Sequence, residues 1–455
     1  MAAEEHFVGV DVGGTKIHAA VVSNAGVVLD RRREPTPREG GPDAILAAVV
    51  KTISRLLDDA KVGKTLQGVG LAVPGLLDYK KNRVDASPNT DISGLNLITP
   101  IRKTFDVPAA FANDTDAATL GEKWVGSARE ANTAVGVFVG TGIGGGILVN
   151  RELLRGARYS AAEIGHIVMD IHGPVCGCGN RGCFEALAGR VAMERDIRRA
   201  ISEGRPTVLA EWIGGADEPI RSGMLRRALD AGDELTKEVL TRAGEVMGQA
   251  AVTLRHIFEP DVIIFGGGVI EACGDFLMPL IESALAADPY FRRPGGRVVQ
   301  SALGDDAGVL GAAAAAMMQA GCDPFDPEAV AFDHYPKLAM TKRDKVRADK
   351  KLLDGDLAVR VNGRVRKRDK DSDAPNLASA AELTCGDLDR ACRGGPGILI
   401  IGANDSSPLP DACNEYLRRR AIASEILSPQ KAIKRFNTLQ ARKAMLLLTG
   451  EAANA

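Results

Sequence analysis

Four short segments carry residue types whose spacing could do chemistry. The first, VGVDVGGT (Val8 to Thr15), is an apolar run that ends in a glycine turn. Gly13 and Gly14 leave backbone N–H groups bare to an oxyanion, Thr15 adds a hydroxyl donor and Lys16 a cation. Asp11, at the end of the run, is placed to hold a hydrated Mg²⁺ between phosphate oxygens. The second segment, VGVFVGTG (Val135 to Gly142), repeats the pattern, so Thr141 and Gly142 would meet the same phosphates from the other side. Neither is the GxxxxGK[ST] loop or the GxGxxG dinucleotide turn. Tight β-turns also want glycine; it is the pair, with an acidic strand end, that indicates phosphate binding.

The third segment is CGCGNRGC, with Cys176, Cys178 and Cys183 preceded by His166. Three thiolates and one imidazole make a closed tetrahedral set of the kind structural zinc prefers, with His172 as an alternative fourth ligand. No C-x-x-C pair is present, which disfavours a redox role. The other five cysteines are scattered, as expected in a reducing compartment.

The fourth group is acidic and amide. Asn113-Asp114 stands where a strand gives way to a helix, at the sheet edge where ligands collect, although a plain helix N-cap would look the same. Glu163 lies three residues before His166 and Glu185 two after Cys183, so a metal there would clamp a loop carrying two carboxylates. Fixed carboxylates and an amide suit the hydroxyls of a neutral polyol, and an aspartate beside one hydroxyl can take its proton as phosphate is attacked.

The elements that must position these groups alternate. Strand-like runs at His6 to Asp11, His18 to Ser23, Gln67 to Val73 and Ala109 to Asn113 are interleaved with helical periodicity at Ala44 to Leu57 and Asp114 to Trp124. This predicts an α/β architecture. The echo of Val8 to Thr15 in Val135 to Gly142 suggests a duplicated fold whose halves face across a cleft. A charged helical region (192 to 256), a buried strand with a glycine exit (Asp261 to Gly268) and a small-residue helix (Ala307 to Ala320) complete it.

Bulk composition excludes several classes. The 455 residues predict two to four domains, with a formal net charge of −2 and 4% aromatics. No global positive field or stacking platform draws nucleic acid. No apolar run is long enough to span a membrane and no leader is evident, so a cytoplasmic chain is expected. Between Lys337 and Lys370 thirteen Lys or Arg face five Asp, most simply a solvated rim. Within it, Val359 to Val365 alternates about Asn362-Gly363, a hairpin signal.

DVGGTK, Pro74-Gly75, Asn113-Asp114, GTGIGGG, the E-x-x-H of Glu163 and His166, CGCGNRGCFE and FGGG occur in the order of the ROK family of sugar kinases and sugar-responsive repressors. The resemblance covers about residues 6 to 321. It implies an actin-like, ribonuclease-H-like ATPase fold of two lobes (1–125 and 126–321) with ATP and Mg²⁺ between them, and a homodimer or homotetramer. Asp114 matches the family's catalytic base. Gly75, Asn89, Asn113, Glu163, His166 and Glu185 match its sugar contacts. Asp11, Gly13, Gly14, Thr15, Lys16, Thr141, Gly142, Gly267 and Gly268 match its nucleotide contacts, and His166, Cys176, Cys178 and Cys183 its zinc ligands. Ala162 replaces the usual glycine before the glutamate, and Asn150-Arg151 the usual Asn-Gly turn.

Only about six residues precede the first strand, too few for the repressors' DNA-binding domain, which favours a kinase. The expected activity is ATP-dependent phosphorylation of a hexose, glucose at its 6-hydroxyl first. N-acetylmannosamine, N-acetylglucosamine, mannose or fructose as acceptor, polyphosphate as donor, and a non-catalytic sugar sensor are the alternatives. A linker (322–351) and a small α/β module (352–455) follow. The module resembles, more loosely, a domain of archaeal proteins and of a mitochondrial complex I assembly factor.

Overall fold

His6–Val12 (HFVGVDV) is buried at nearly every position. A run that is apolar on both faces belongs in the middle of a sheet covered on both sides. In the computed structural model, which describes residues 5–87, 90–214, 218–291, 296–326, 335–341, 345–353, 355–368 and 376–449, that is where it lies. The first sheet runs Val28–Pro35, Lys16–Ser23, His6–Val12, Leu66–Val73, Ala109–Asn113. The first two strands are antiparallel to their neighbours and the remaining pairings are parallel.

The second sheet repeats this order with Glu152–Leu153, Ile143–Val149, Ala134–Val139, Val262–Gly266 and Arg297–Gln300. Its antiparallel hairpin and parallel pairings repeat too. The two glycine segments therefore occupy the same place in two copies of one sheet, at the turn between the central strand and its antiparallel neighbour.

Two devices join the lobes. The helix Ala307–Gln319 follows the second sheet yet packs on the first, through contacts too close for larger residues. A Cβ at Gly70 would sit 1.7 Å from the Ala312 carbonyl oxygen, and one at Gly311 1.5 Å from that of Ala117. The second device is Glu122, wholly buried in the helix Asp114–Val125. Its carboxylate accepts from Ser127 N and Oγ, Ser301 Oγ, Ala302 N and Leu303 N at 2.6–3.2 Å. A buried carboxylate is tolerable only with its lone pairs so occupied.

The C-terminal module has its own sheet, ordered Val365–Lys367, Leu357–Val359, Lys443–Leu447, Ile398–Gly402, Ala423–Leu427. Helices Cys385–Cys392, Asp411–Arg419 and Pro429–Thr438 flank it. The Asn362-Gly363 hairpin forms as expected, with Val359 opposite Val365 and Gly363 at φ 72°. The expected linker is corrected in part. Leu338–Met340 and Val346–Ala348 are strands of a small antiparallel sheet, and Leu338 exchanges two hydrogen bonds with the Asn437 side chain. Apolar side chains at Leu338, Val346 and Ala348 bury against Phe436, which draws that segment into the module. Among the described residues, no helix is long and apolar enough to cross a membrane.

Candidate functional site

Between the lobes opens a cleft of about 950 Å³. Asn113, Asp114, Glu163, His166, Glu185, Gly75, Thr141, Gly142 and Gly267 all line it. Residues up to 192 positions apart in sequence thus share one cavity because the duplicated sheets present their strand ends to each other.

Asn113 is the N-cap of Asp114–Val125: its Oδ1 accepts from Thr115 N at 2.9 Å and Thr115 Oγ1 at 2.7 Å. The cap reading holds, and Asn113 also lines the cleft, its Nδ2 donating to the Gly75 carbonyl at 3.1 Å. Gly75 sits at φ 107°, and a Cβ there would meet the Ala86 carbonyl oxygen at 2.0 Å, so only glycine makes this crossing. Asp114 follows as the first helical residue, its Oδ1 accepting from Thr115 N at 2.9 Å. Burial raises its carboxyl above the ordinary aspartate range.

Asp11 stands across from it. Burial, then the Asp114 charge, push the Asp11 carboxyl up to about 7, against the pull of Lys16. The first glycine turn is held by Gly13 N donating to Lys16 O at 3.0 Å and by Thr36, whose hydroxyl donates to Gly13 O at 2.6 Å. Asp11, Gly13, Gly14, Thr15, Lys16 and Gly268 are not among the lining residues of the cleft. Gly14 and Thr15 are exposed. Lys16, expected as a cation toward phosphate, pairs through Nζ with Asp305 at 3.1 Å, an acid 289 positions away that also binds Arg33 at 3.2 Å. Gly267 caps the helix Gly268–Ala286 at φ 85°. Asn89 lies outside the described residues.

The second turn is tied to the cysteine cluster. Glu185 Oε2 accepts from Ile143 N at 2.9 Å, and Cys176 Sγ lies 3.7 Å from Glu185 Oε1. A Cβ on Gly142 would fall 2.0 Å from Glu185 Oε2. Glu185 therefore acts as a strut as well as a wall of the cleft. The donor atoms of His166, Cys176, Cys178 and Cys183 lie within 4.8 Å of one another. His172 is outside this set, its backbone N–H donating to Asp170. Burial raises the Glu163 carboxyl, against the pull of His166, and Glu163 opens into the cavity.

Sequence reasoning missed Asp116, which also lines the cleft. Its Oδ1 is buried without a hydrogen-bond partner, and burial pushes its carboxyl to about 7. Its place in the first turn after Asn113 was the available signal. Tyr159, at φ 60°, lines the same wall, its ring 5.0 Å from Tyr79. Arg190 was likewise missed; it donates to the Thr141 hydroxyl at 3.2 Å.

Both departures from the family pattern stand in the left-handed backbone region that favours glycine. Ala162 has φ 65°, and Asn150 and Arg151 have φ 52° and 68°.

The ROK family profile matches residues 7–319. A glucokinase from Thermotoga maritima is 33% identical over 308 residues, 67% of this chain and 95% of that protein. An N-acetylmannosamine kinase from Yersinia pseudotuberculosis is 31% identical, covering 67% of this chain and 95% of its own. Among solved structures, a ROK family glucokinase from Streptomyces griseus in complex with glucose and AMPPNP is 29% identical, with a TM-score of 0.60, covering 69% of this chain and 99% of that one. The looser resemblance of the C-terminal module to a complex I assembly factor is not borne out. The family match spans well over half of the 455 residues and holds both lobes, both glycine turns and the cysteine cluster: the chain belongs to the ROK family.

Proposed function

We propose that this chain is an ATP-dependent hexose kinase that phosphorylates glucose at its 6-hydroxyl. One observation carries the reading: a half-buried aspartate, Asp114, shares a single interlobe cleft with carboxylate, amide and imidazole groups suited to a polyol and with the second glycine turn.

In this reading Asn113, Glu163 and His166 accept or donate to ring hydroxyls, with Glu185 and Gly75 shaping the wall. Asp114 takes the proton of the attacking hydroxyl. A carboxyl held above its ordinary range by burial is a stronger base once ionised, which suits that task. Thr141, Gly142 and Gly267 would border the phosphates, and the Gly13–Lys16 turn would meet them from the other lobe. Such transfer depends on positioning and charge neutralisation more than on covalent chemistry. Asp11 suits Mg²⁺: two buried carboxylates repel each other there, and a cation relieves both. When bound, the ion neutralises phosphate charge.

The cysteine cluster is read as structural zinc. Around bonds of about 2.3 Å, ligand atoms of a tetrahedron stand roughly 3.8 Å apart. Cys178 and Cys183 sulfurs are 3.7 Å apart, as are His166 Nδ1 and Cys176 Sγ. His166 would hold the ion through Nδ1, leaving Nε2 for the cleft. All four positions are filled by protein, so the site orients Glu163, His166 and Glu185 and does no hydrolysis.

The test is a coupled assay of ATP against glucose, mannose, fructose, N-acetylglucosamine and N-acetylmannosamine, repeated with polyphosphate as donor. Glucose with ATP is expected to be turned over fastest. A faster N-acetylmannosamine rate would transfer the assignment to that sugar, for which the Yersinia relative is named. Sugar binding without turnover of any hexose would overturn the kinase reading in favour of a sensor.

A further inference from the structure

Where the C-terminal module meets the first lobe, a recess of about 210 Å³ is lined by Arg31, Arg360, Arg364, Arg366, Arg393 and Arg442. They come from four separate stretches: the strand Val28–Pro35, the Asn362-Gly363 hairpin, the turn after Cys385–Cys392, and the residue before Lys443–Leu447. Two acids, Asp30 and Asp306, share the lining, leaving a formal charge of +4. Asp306 is already paired with Arg31 at 3.2 Å.

The arginines are short of counter-charge. Arg364 donates to the Leu29 carbonyl, and Arg442 to the carbonyls of Ala25, Gly26, Gly394 and Gly395. Arg360 and Arg366 form no ion pair with a carboxylate among the described residues, the Asp306 that acts on Arg393 is already paired with Arg31, and the buried Nε of Arg360 has no hydrogen-bond partner. Burial depresses the Arg360 guanidinium, and the charges of Arg393, Arg366, Arg31 and Arg364 add to that. Converging cations in a partly dry recess are tolerated when an anion joins them, and guanidinium forks match phosphoryl oxygens.

The adjoining cavity of about 430 Å³ differs. Its Arg31, Arg33, Arg393 and Arg420 are balanced by Glu271, Asp305, Asp306 and Asp389. Arg31, Arg393 and Asp306 line both cavities, whereas Arg360, Arg364, Arg366 and Arg442 line the smaller recess and not the larger cavity, an arrangement that suits a compact anion and not a duplex groove.

We infer that this arginine-lined recess between the C-terminal module and the first lobe binds a small oligophosphate, an anion with two or more linked phosphoryl groups. The inference stands whether or not the interlobe cleft is a hexose kinase site. A bound oligophosphate would bridge the hairpin arginines to Arg31 and fasten the module to the lobe.

The experiment is calorimetric titration of the full chain with inorganic triphosphate at physiological salt. ADP, hexose 6-phosphate and a single-stranded oligonucleotide serve as competitors. The expected result is a binding component weakened about tenfold or more in Arg360→Ala/Arg393→Ala, from the loss of two charge-assisted contacts. That component should persist in Asp114→Asn and in Arg347→Ala, a cation of the neighbouring small sheet outside the recess. Arg366→Ala, on the exposed strand Val365–Lys367, repeats the test without disturbing buried groups. Displacement by ADP would extend the ligand to a nucleotide tail. Triphosphate binding unchanged in both recess variants would overturn the inference. So would equal competition by a monophosphate, or binding of the oligonucleotide alone.

Discussion

Replacing Asp114 with Asn removes a proton acceptor while keeping the side chain's shape and its acceptance from Thr115 N–H. If Asp114 is the general base, kcat should fall about 10²–10⁴-fold, roughly 2.7–5.4 kcal/mol of barrier. KM for the hexose should change little, because Asn113, Glu163 and His166 remain. Stability should move the other way. Burial strips water from the carboxylate, so its ionised form is disfavoured in the folded state. A carboxyl raised above its unfolded value contributes stability at low pH that is lost as pH rises through the folded value. Asn, which does not titrate, avoids that loss, so the variant should melt no lower than wild type near neutral pH. The same raised value places the acid limb of kcat/KM above the ordinary aspartate range, since activity needs the deprotonated form. A coupled assay from pH 5 to 9 with parallel thermal melts reads all of this. Wild-type turnover in Asp114→Asn, or inactivity accompanied by a large drop in melting temperature, would refute the reasoning.

Three further outcomes follow from local geometry. Ala162→Gly and Arg151→Gly each relieve a left-handed backbone that costs about 1–2 kcal/mol, offset by about 0.4–1 kcal/mol of added unfolded-chain entropy. Both should raise the urea midpoint slightly, although Arg151→Gly also gives up an exposed pair with Asp323; a lower midpoint would argue against strain at these turns. Gly311→Ala forces a Cβ against the Ala117 carbonyl and should destabilise by about 1–3 kcal/mol through displacement of the last helix, read by denaturant unfolding. A strong chelator should release one zinc per chain, free the surface thiolate of Cys178 for alkylation and abolish turnover, with elemental analysis and thiol titration as readouts; full activity without metal would remove zinc from the account.

The sequence's internal echo carried the duplication: a buried strand running into a glycine turn has few other meanings when it occurs twice at equivalent places. The cysteine spacing was as direct, because CGCGNRGC can bring its sulfurs together with almost no help from the rest of the chain. Asn113-Asp114 was legible as a strand-to-helix junction, where the cap geometry is local. Each of these depends on neighbours within about ten residues.

What depended on distant neighbours was hidden. Lys16 reads as a cation with no partner in view, and only the fold places Asp305 beside it, 289 positions later. No local pattern marks Glu122, and only the return of residues 301–303 makes it a buried clamp. The stretch near residue 340 reads as linker until Asn437 and Phe436 supply its partners. Arg31 and Arg360 become neighbours only because the C-terminal module docks where Arg442 reaches the carbonyls of Ala25 and Gly26. Local sequence determined which turns, caps and thiol clusters exist, since those interactions close within a few bonds of backbone. Which charges meet, and which are buried, was decided by tertiary structure alone, because electrostatic partners and desolvation are set by whatever the rest of the chain brings within a few ångströms.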